Sequence, residues 1–248
     1  MDFQTMSIVL VGVLIFVAAV LYSSVGQAGA SGYLAVMALC GVTAAVMKPT
    51  ALTLNVLVAT IATARFARAG CFSWSLLWPF AIASVPMSFI GGAVSLPANI
   101  YNPIVGAIML FAACLLHRTR CYVGRNARQV DAAAFRSGTG AGIGLLSRLT
   151  GTGGSIFLTP LLLFRNWAGA KEPAGVSAAF ILVNSLAGLA GNVSGLKALP
   201  DAVPYWAVAA AIGGLVGAEL GSRRPSDLTL RRLLMVVLVV AGVKLLVV

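Results

Sequence analysis

The chain has 248 residues, 60% of them hydrophobic and 9% charged, and 17 Lys and Arg against 6 Asp and Glu give it a net charge of +11. Soluble domains carry about 45–50% apolar and about 25% charged residues. One aqueous core of this length could not bury the excess, whereas lipid solvates it. The basic residues fall between apolar runs, as topology determinants do, and no basic-aromatic module accompanies them. That excludes nucleic acid and leaves an all-α polytopic protein of the lipid bilayer.

The first apolar run, 6–23, ends in small residues like a secretory signal. Asp2 replaces the basic n-region of a signal, so the run reads as a retained segment. SSVGQAGASG at 23–32 leads into a second run at 29–47, and further runs occupy 49–65, 74–96 and 100–117. The one hydrophilic stretch, HRTRCYVGRNARQVDAAAFR at 117–136, supplies a basic linker over 118–136 between two units, 1–117 and 137–248. The second unit carries runs at 137–149, 153–165, 173–192, 203–222 and 232–248.

The two units read as copies. An offset of 124 takes Gly29 to Gly153, Ser31 to Ser155, Tyr33 to Phe157, Leu34 to Leu158, Pro49 to Pro173, Leu52 to Val176 and Thr53 to Ser177. Five segments per unit is an odd number, so the second unit starts from the opposite side of the membrane, as in the inverted repeats of secondary transporters. Charge agrees with this arrangement. Arg65, Arg68, the linker arginines, Arg165, Lys171, Arg223, Arg224, Arg231 and Arg232 fall on one face, while Lys48, Lys197 and Lys244 fall on the other. The positive-inside rule makes the richer face cytoplasmic, with the linker, and puts both termini outside.

A spanning helix needs about 20 residues. The runs 137–149 and 153–165 hold about 13 each, reaching about 20 Å at 1.5 Å per residue. They read as a re-entrant hairpin with RLTGTGG, beginning at Arg148, as its tip inside the membrane. For 6–23 and 29–47 both readings, full span and re-entrant hairpin, stay open. The expected architecture is two inverted repeats of about five helical segments, with glycine-rich re-entrant or broken helices near the midplane.

A glycine-rich tip that opens a helix leaves backbone N–H groups free at the positive end of the helix dipole, which suits an anion. The candidate site residues follow from this: Gly29 and Ser31 in the first tip, and Gly151, Thr152, Gly153, Gly154 and Ser155 in the second. Arg148 is either a ligand contact or an anchor that snorkels to the interface. Asn55 and Asn184 stand inside apolar helices, where an amide glues helices together or lines a cavity. Glu219 pairs with an arginine at the cytoplasmic end or carries a coupled proton, and His117 reads as interfacial. Gly91-Gly92, Gly213-Gly214 and GTGAGIG at 138–144 read as close-packing points.

No Lys-Ser/Thr follows the glycines, so this is no nucleotide loop, and no catalytic motif occurs. Cys40, Cys71, Cys114 and Cys121 form no C-x-x-C pair and His117 is the single histidine, so no metal site, cofactor or enzyme is expected. The thiols read as small buried hydrophobes.

GTGGSIFLTPLLLF followed by KEPAGVSAAFILVNSLAGLAGNVSG resembles the second-half signature of the sulfite exporter TauE/SafE family. MKPTALTLNVLVATIATARFARAG resembles the matching first-half repeat, down to the basic R-F-x-R-x-G. AGAS at 28–31 departs from the fuller glycine cluster usual there. The resemblance implies a secondary transporter of small sulfur-containing or organic anions, such as sulfite or sulfonates, in the bacterial inner membrane. Eight spans are usual in that family, so the ten segments agree only if some are short or re-entrant. The mechanism expected is alternating access around a midplane site formed by the two tips. An anion channel with the tips as its filter, and a non-transporting membrane scaffold that packs on a partner, are the rival readings. Coupling to protons or another ion finds no well-placed carboxylate, and a homo-oligomer stays open.

Overall fold

The computed structural model describes residues 3–24, 26–93, 172–192 and 199–223, with scattered helical positions at 100–114 and 239–246. The described elements are helices: α1 (Phe3–Ser24), α2 (Ala30–Leu39), α3 (Ala44–Arg68), α4 (Trp74–Ala93), α5 (Glu172–Gly191) and α6 (Val203–Arg223). Backbone in hydrocarbon must satisfy its own hydrogen bonds, and a helix does so within one segment. Prolines 79 and 86 inside α4 and Pro49 inside α3 are accommodated on the same terms. Val46–Arg68, Trp74–Gly92, Ala174–Gly191 and Val203–Ser222 are long and apolar enough to cross a membrane.

The run expected at 29–47 is divided differently. α2 stops at Leu39, where Gly41, at φ 75°, takes the chain into a left-handed closing turn. α3 then begins at Ala44, so Lys48 and Pro49 lie in its second turn rather than at a boundary. The closing glycine, not the proline, is the breaker here. α2 has ten residues, about 15 Å, half of a hydrocarbon core of about 30 Å.

Three pairings organise the bundle. α1 and α6 run parallel: Trp206 Nε1 donates to the Ile8 carbonyl at 3.2 Å. Further along, Gly213, Gly217 and Gly221 face the Phe16, Val20 and Ser24 carbonyl oxygens, and a Cβ at any of the three would stand within 2.6 Å of its oxygen. Small residues spaced four apart let two backbones touch, which replaces the hydrophobic drive that lipid does not supply. α3 and α5 run antiparallel, with Asn55 against Ser185 at mid-length and Gly175 pressed on the Cys71 carbonyl at the end. α4 lies parallel to α5, through Phe80, Val176 and Phe180 in one apolar cluster and Gly92 against Gly188.

Side chains pointing away from these contacts are apolar: Val9, Leu10 and Val13 on α1, Phe89 and Ile90 on α4, Val208 and Ile212 on α6. Trp74 opens α4 and Tyr205 opens α6, both strongly exposed. These helices start at opposite ends of the bundle, so an amphipathic ring stands at each end, where lipid headgroups favour one.

Candidate functional site

The first glycine-rich tip is built by two glycines. At the end of α1, Gly26 N–H donates to the Ser23 carbonyl at 3.1 Å and Gln27 N–H to the Tyr22 carbonyl at 2.9 Å. This is a Schellman closure, and Gly26 supplies its left-handed residue at φ 75°. A Cβ on Gly26 would also overlap the Ala174 backbone of α5. The chain then runs through Ala28 to Gly29, at φ 101°, which caps α2 by accepting from Tyr33 N–H at 2.9 Å.

Asn55 decides how deep α2 starts. Its Oδ1 accepts from Ala30 N–H at 3.1 Å, and its Nδ2 donates to Ser185 Oγ at 3.0 Å. It is fully buried and is the twelfth of the 25 residues of α3. The N-terminus of α2 is therefore fixed at the mid-length of a spanning helix, and α2 fills the half of the bundle toward the start of α3. Its first turn carries Ser31, which is also buried.

Hydroxyls around the tip differ in their commitments. Tyr33 Oη donates to the Ala28 carbonyl at 2.8 Å, and Ser24 Oγ donates to the Leu21 carbonyl at 2.7 Å. Tyr22, whose ring packs on Gly32, has its hydroxyl beside Ser31 but makes no hydrogen bond of good geometry, and neither does buried Ser23. Sequence reasoning passed over both, because nothing in a run of helix-forming residues marks which hydroxyls go unpaired. A buried polar atom without a partner costs roughly 1–3 kcal/mol.

Asn184 lies one residue from Ser185 but belongs to a separate cluster. Its Oδ1 accepts from Ser84 and Ser88 of α4, and its Nδ2 donates to the Phe180 carbonyl at 2.9 Å. Among the expected site residues, the structure thus joins Gly29, Ser31 and Asn55 at one tip and places Asn184 on the neighbouring helix interface. Arg148, Gly151, Thr152, Gly153, Gly154 and Ser155 lie outside the described residues.

Two charged contacts mark the ends of the bundle. Arg65 Nη1 meets Glu219 Oε2 at 3.0 Å, the pairing anticipated for Glu219, and brings the basic ends of α3 and α6 together. At the other end Lys48, largely buried, donates from Nζ to the Gly91 carbonyl at 3.2 Å. Chemically, the tip offers hydroxyl and amide donors and a helix dipole, all neutral groups that favour an anion without taking up a proton.

Comparison with known proteins gives the family of the chain. The family profile for "Sulfite exporter TauE/SafE" matches residues 11–245. The chain is also similar to the "Probable membrane transporter protein y4hK" of Sinorhizobium fredii (strain NBRC 101917 / NGR234). The two are 44% identical over 237 residues, which cover 93% of this chain and 95% of the relative. No solved structure matches the chain. With a family match over nearly the whole sequence, and apolar helices of spanning length, the chain belongs to the sulfite exporter TauE/SafE family and is a multi-pass membrane transporter, not an enzyme.

Proposed function

We propose that the protein is a secondary transporter that moves a small anion (sulfite, a sulfonate or a related sulfur or organic anion) across the bacterial inner membrane by alternating access. The observation that carries this reading is the N-terminus of α2, fixed by Asn55 at the mid-length of α3. An anion there meets a positive helix end at membrane depth, the arrangement by which discontinuous transporter helices hold charged substrates. Gly29 and Ser31 form the first half of the site, with Asn55 positioning them. Arg148, Gly151, Thr152, Gly153, Gly154 and Ser155 form the second half, and Asn184 holds the helix next to it.

Helix order supports two inverted repeats. Exchanging α3 with α5 and α4 with α6 turns the parallel pair α4–α5 into the parallel pair α6–α3, and it maps the antiparallel pair α3–α5 onto itself. The shared basic end of α3 and α6 supports a cytoplasmic face that holds the 118–136 linker, with both termini outside.

Counterflow in proteoliposomes tests the reading. Vesicles preloaded with unlabelled sulfite should transiently accumulate labelled sulfite, and the flux should saturate. Single-channel currents in place of counterflow would make the protein a channel. No flux, together with no stabilisation of the purified protein by sulfite, sulfate, thiosulfate or 2-aminoethanesulfonate, would leave only the scaffold reading. Loss of flux on replacing Arg148 or Gly153 is expected; unchanged flux would remove the second tip from the site.

A further inference from the structure

Among the described residues, the buried polar side chains are hydroxyls and amides, with Lys48 as the single ion. It stands in the second turn of α3, inside a segment long and apolar enough to span a membrane. Its Nζ crosses to α4 and donates to the Gly91 carbonyl, in the last turn of that helix, at 3.2 Å. Carbonyls in a last turn lack an intrahelical donor, so the contact caps α4. Capping alone does not call for an ion. A hydroxyl or an amide serves the same carbonyl without the cost of burying a cation, and an ionisable residue within a membrane marks a pathway or a binding site. The neighbours of Lys48 point inward. Lys48 and Asn55 are seven residues apart on α3, on one face and about 10 Å apart along the axis. On α4, Gly91 follows Ser88 by one turn, and Ser88 donates to Asn184 Oδ1. Asn184 adjoins Ser185, whose Oγ accepts from Asn55, and Asn55 in turn accepts from Ala30 N–H at the tip. Polar contacts thus succeed one another from the Lys48 end of the bundle to the start of α2, with the charge at the far end.

We propose that Lys48 is an anion-binding residue separate from the glycine-rich tip, whose ammonium exchanges the Gly91 carbonyl for the anion on its way to or from α2. The proposal rests on the anion-transport reading and adds to it a positive charge that the neutral tip does not have. An ammonium holds an anion more strongly than a neutral carbonyl, because both partners are then ionised. The exchange asks only for side-chain rotation, which the flexible four-carbon stem of lysine allows. It also unties α3 from α4, so arrival of the anion releases a link between the two helices. Charge acts beyond contact as well. At the effective dielectric of a protein interior, a unit charge about 10 Å away is worth roughly tenfold in anion affinity.

The test uses the full chain in detergent, unmodified and as Lys48→Gln and Lys48→Arg. Glutamine keeps an N–H donor for the Gly91 carbonyl and removes the charge, whereas arginine keeps the charge. Melting temperature is read without ligand and then along a titration of sodium sulfite at constant ionic strength. In parallel, unmodified protein carrying carbon-13 at lysine Cε gives one resonance for each of Lys48, Lys171, Lys197 and Lys244, and Lys48→Arg identifies that of Lys48. The sulfite Kd should weaken about tenfold in Lys48→Gln and stay within about threefold of the parent in Lys48→Arg. The Lys48 resonance should shift along the titration with the Kd that melting gives. A Kd unchanged within about twofold in Lys48→Gln, with the parent binding sulfite, overturns the proposal and leaves Lys48 as the cap of α4. A Lys48 resonance that stays fixed at saturating sulfite overturns it too, and decides alone if Lys48→Gln melts more than about 5 °C below the parent. Both of these results leave the transporter reading standing. A parent that responds to none of sulfite, sulfate, thiosulfate and 2-aminoethanesulfonate sinks the anion reading itself, and the proposal with it.

Discussion

Asn55 uses both ends of its amide, one on α2 and one on α5, and so ties three helices at a single depth. Asn55→Leu would strip the acceptor from Ala30 N–H and one donor from Ser185 at once. Its expected cost is about 1–3 kcal/mol, read as a lowered melting temperature in detergent. Asn55→Asp keeps the acceptor for Ala30 but puts a negative charge at the proposed anion site. That variant should fold and fail to bind sulfite; unchanged sulfite affinity would remove the anion from the tip. Asn184 offers a milder case. Either Ser84→Ala or Ser88→Ala leaves the other serine on the same oxygen, so each alone should cost about 0.6 kcal/mol, the average for such bonds in membranes, and the double variant more than the sum. That both asparagines were structural or functional was legible, because an amide in an apolar run has few other uses. Their partners on other helices were not, since those lie 25 to 130 residues away.

Helix boundaries show what a sequence conveys and what it hides. The long apolar runs became α1, α3, α4, α5 and α6 nearly as written, because hydrophobic length is itself the physical criterion. The α2–α3 junction moved because Pro49 looks like a breaker, yet a membrane helix carries a proline in its second turn, and Gly41 does the breaking. Gly213 and Gly214 were read as a packing pair. Both do pack, Gly213 on the α1 backbone and Gly214 against Val58 of α3, and the α1 contact continues every fourth residue through Gly217 and Gly221. Gly217→Val should push α6 off α1 and lower stability by 1–3 kcal/mol, about the usual penalty for overpacking. Gly12→Ala, in the same interface but 3.7 Å from Trp206 Cδ1, should be tolerated. Equal melting temperatures for the two variants would refute the ladder.

Across the bundle, the Arg65–Glu219 pair links α3 to α6 at their shared basic end. Both side chains are more than a third exposed, at 42% and 35%, so solvent screens the pair and its net worth is about 0.2–1 kcal/mol. Its value is diagnostic. R65E should lower stability by about 1 kcal/mol through like-charge contact with Glu219, and the double exchange R65E/E219R should restore it. Failure of that restoration, read by thermal melting, would break the alignment of α3 with α6. The charge pattern made this shared end legible from the sequence, whereas the residue-to-residue pairing required the register of two helices 154 residues apart.

The α1–α6 contact also sets a timetable for biogenesis. Ile8 and Trp206 are separated by 198 residues; at roughly 5–20 residues per second of synthesis, about 10–40 s pass between them. Throughout that interval α1 is in the bilayer without the glycine stripe that later seats it. A nascent chain is thus held open to membrane quality control until its closing helix emerges. A chain stopped just before Val203 should insert normally and then be degraded within minutes, while the full chain persists. Pulse-chase labelling would register the difference, and equal lifetimes would show that α1 finds its seat without α6.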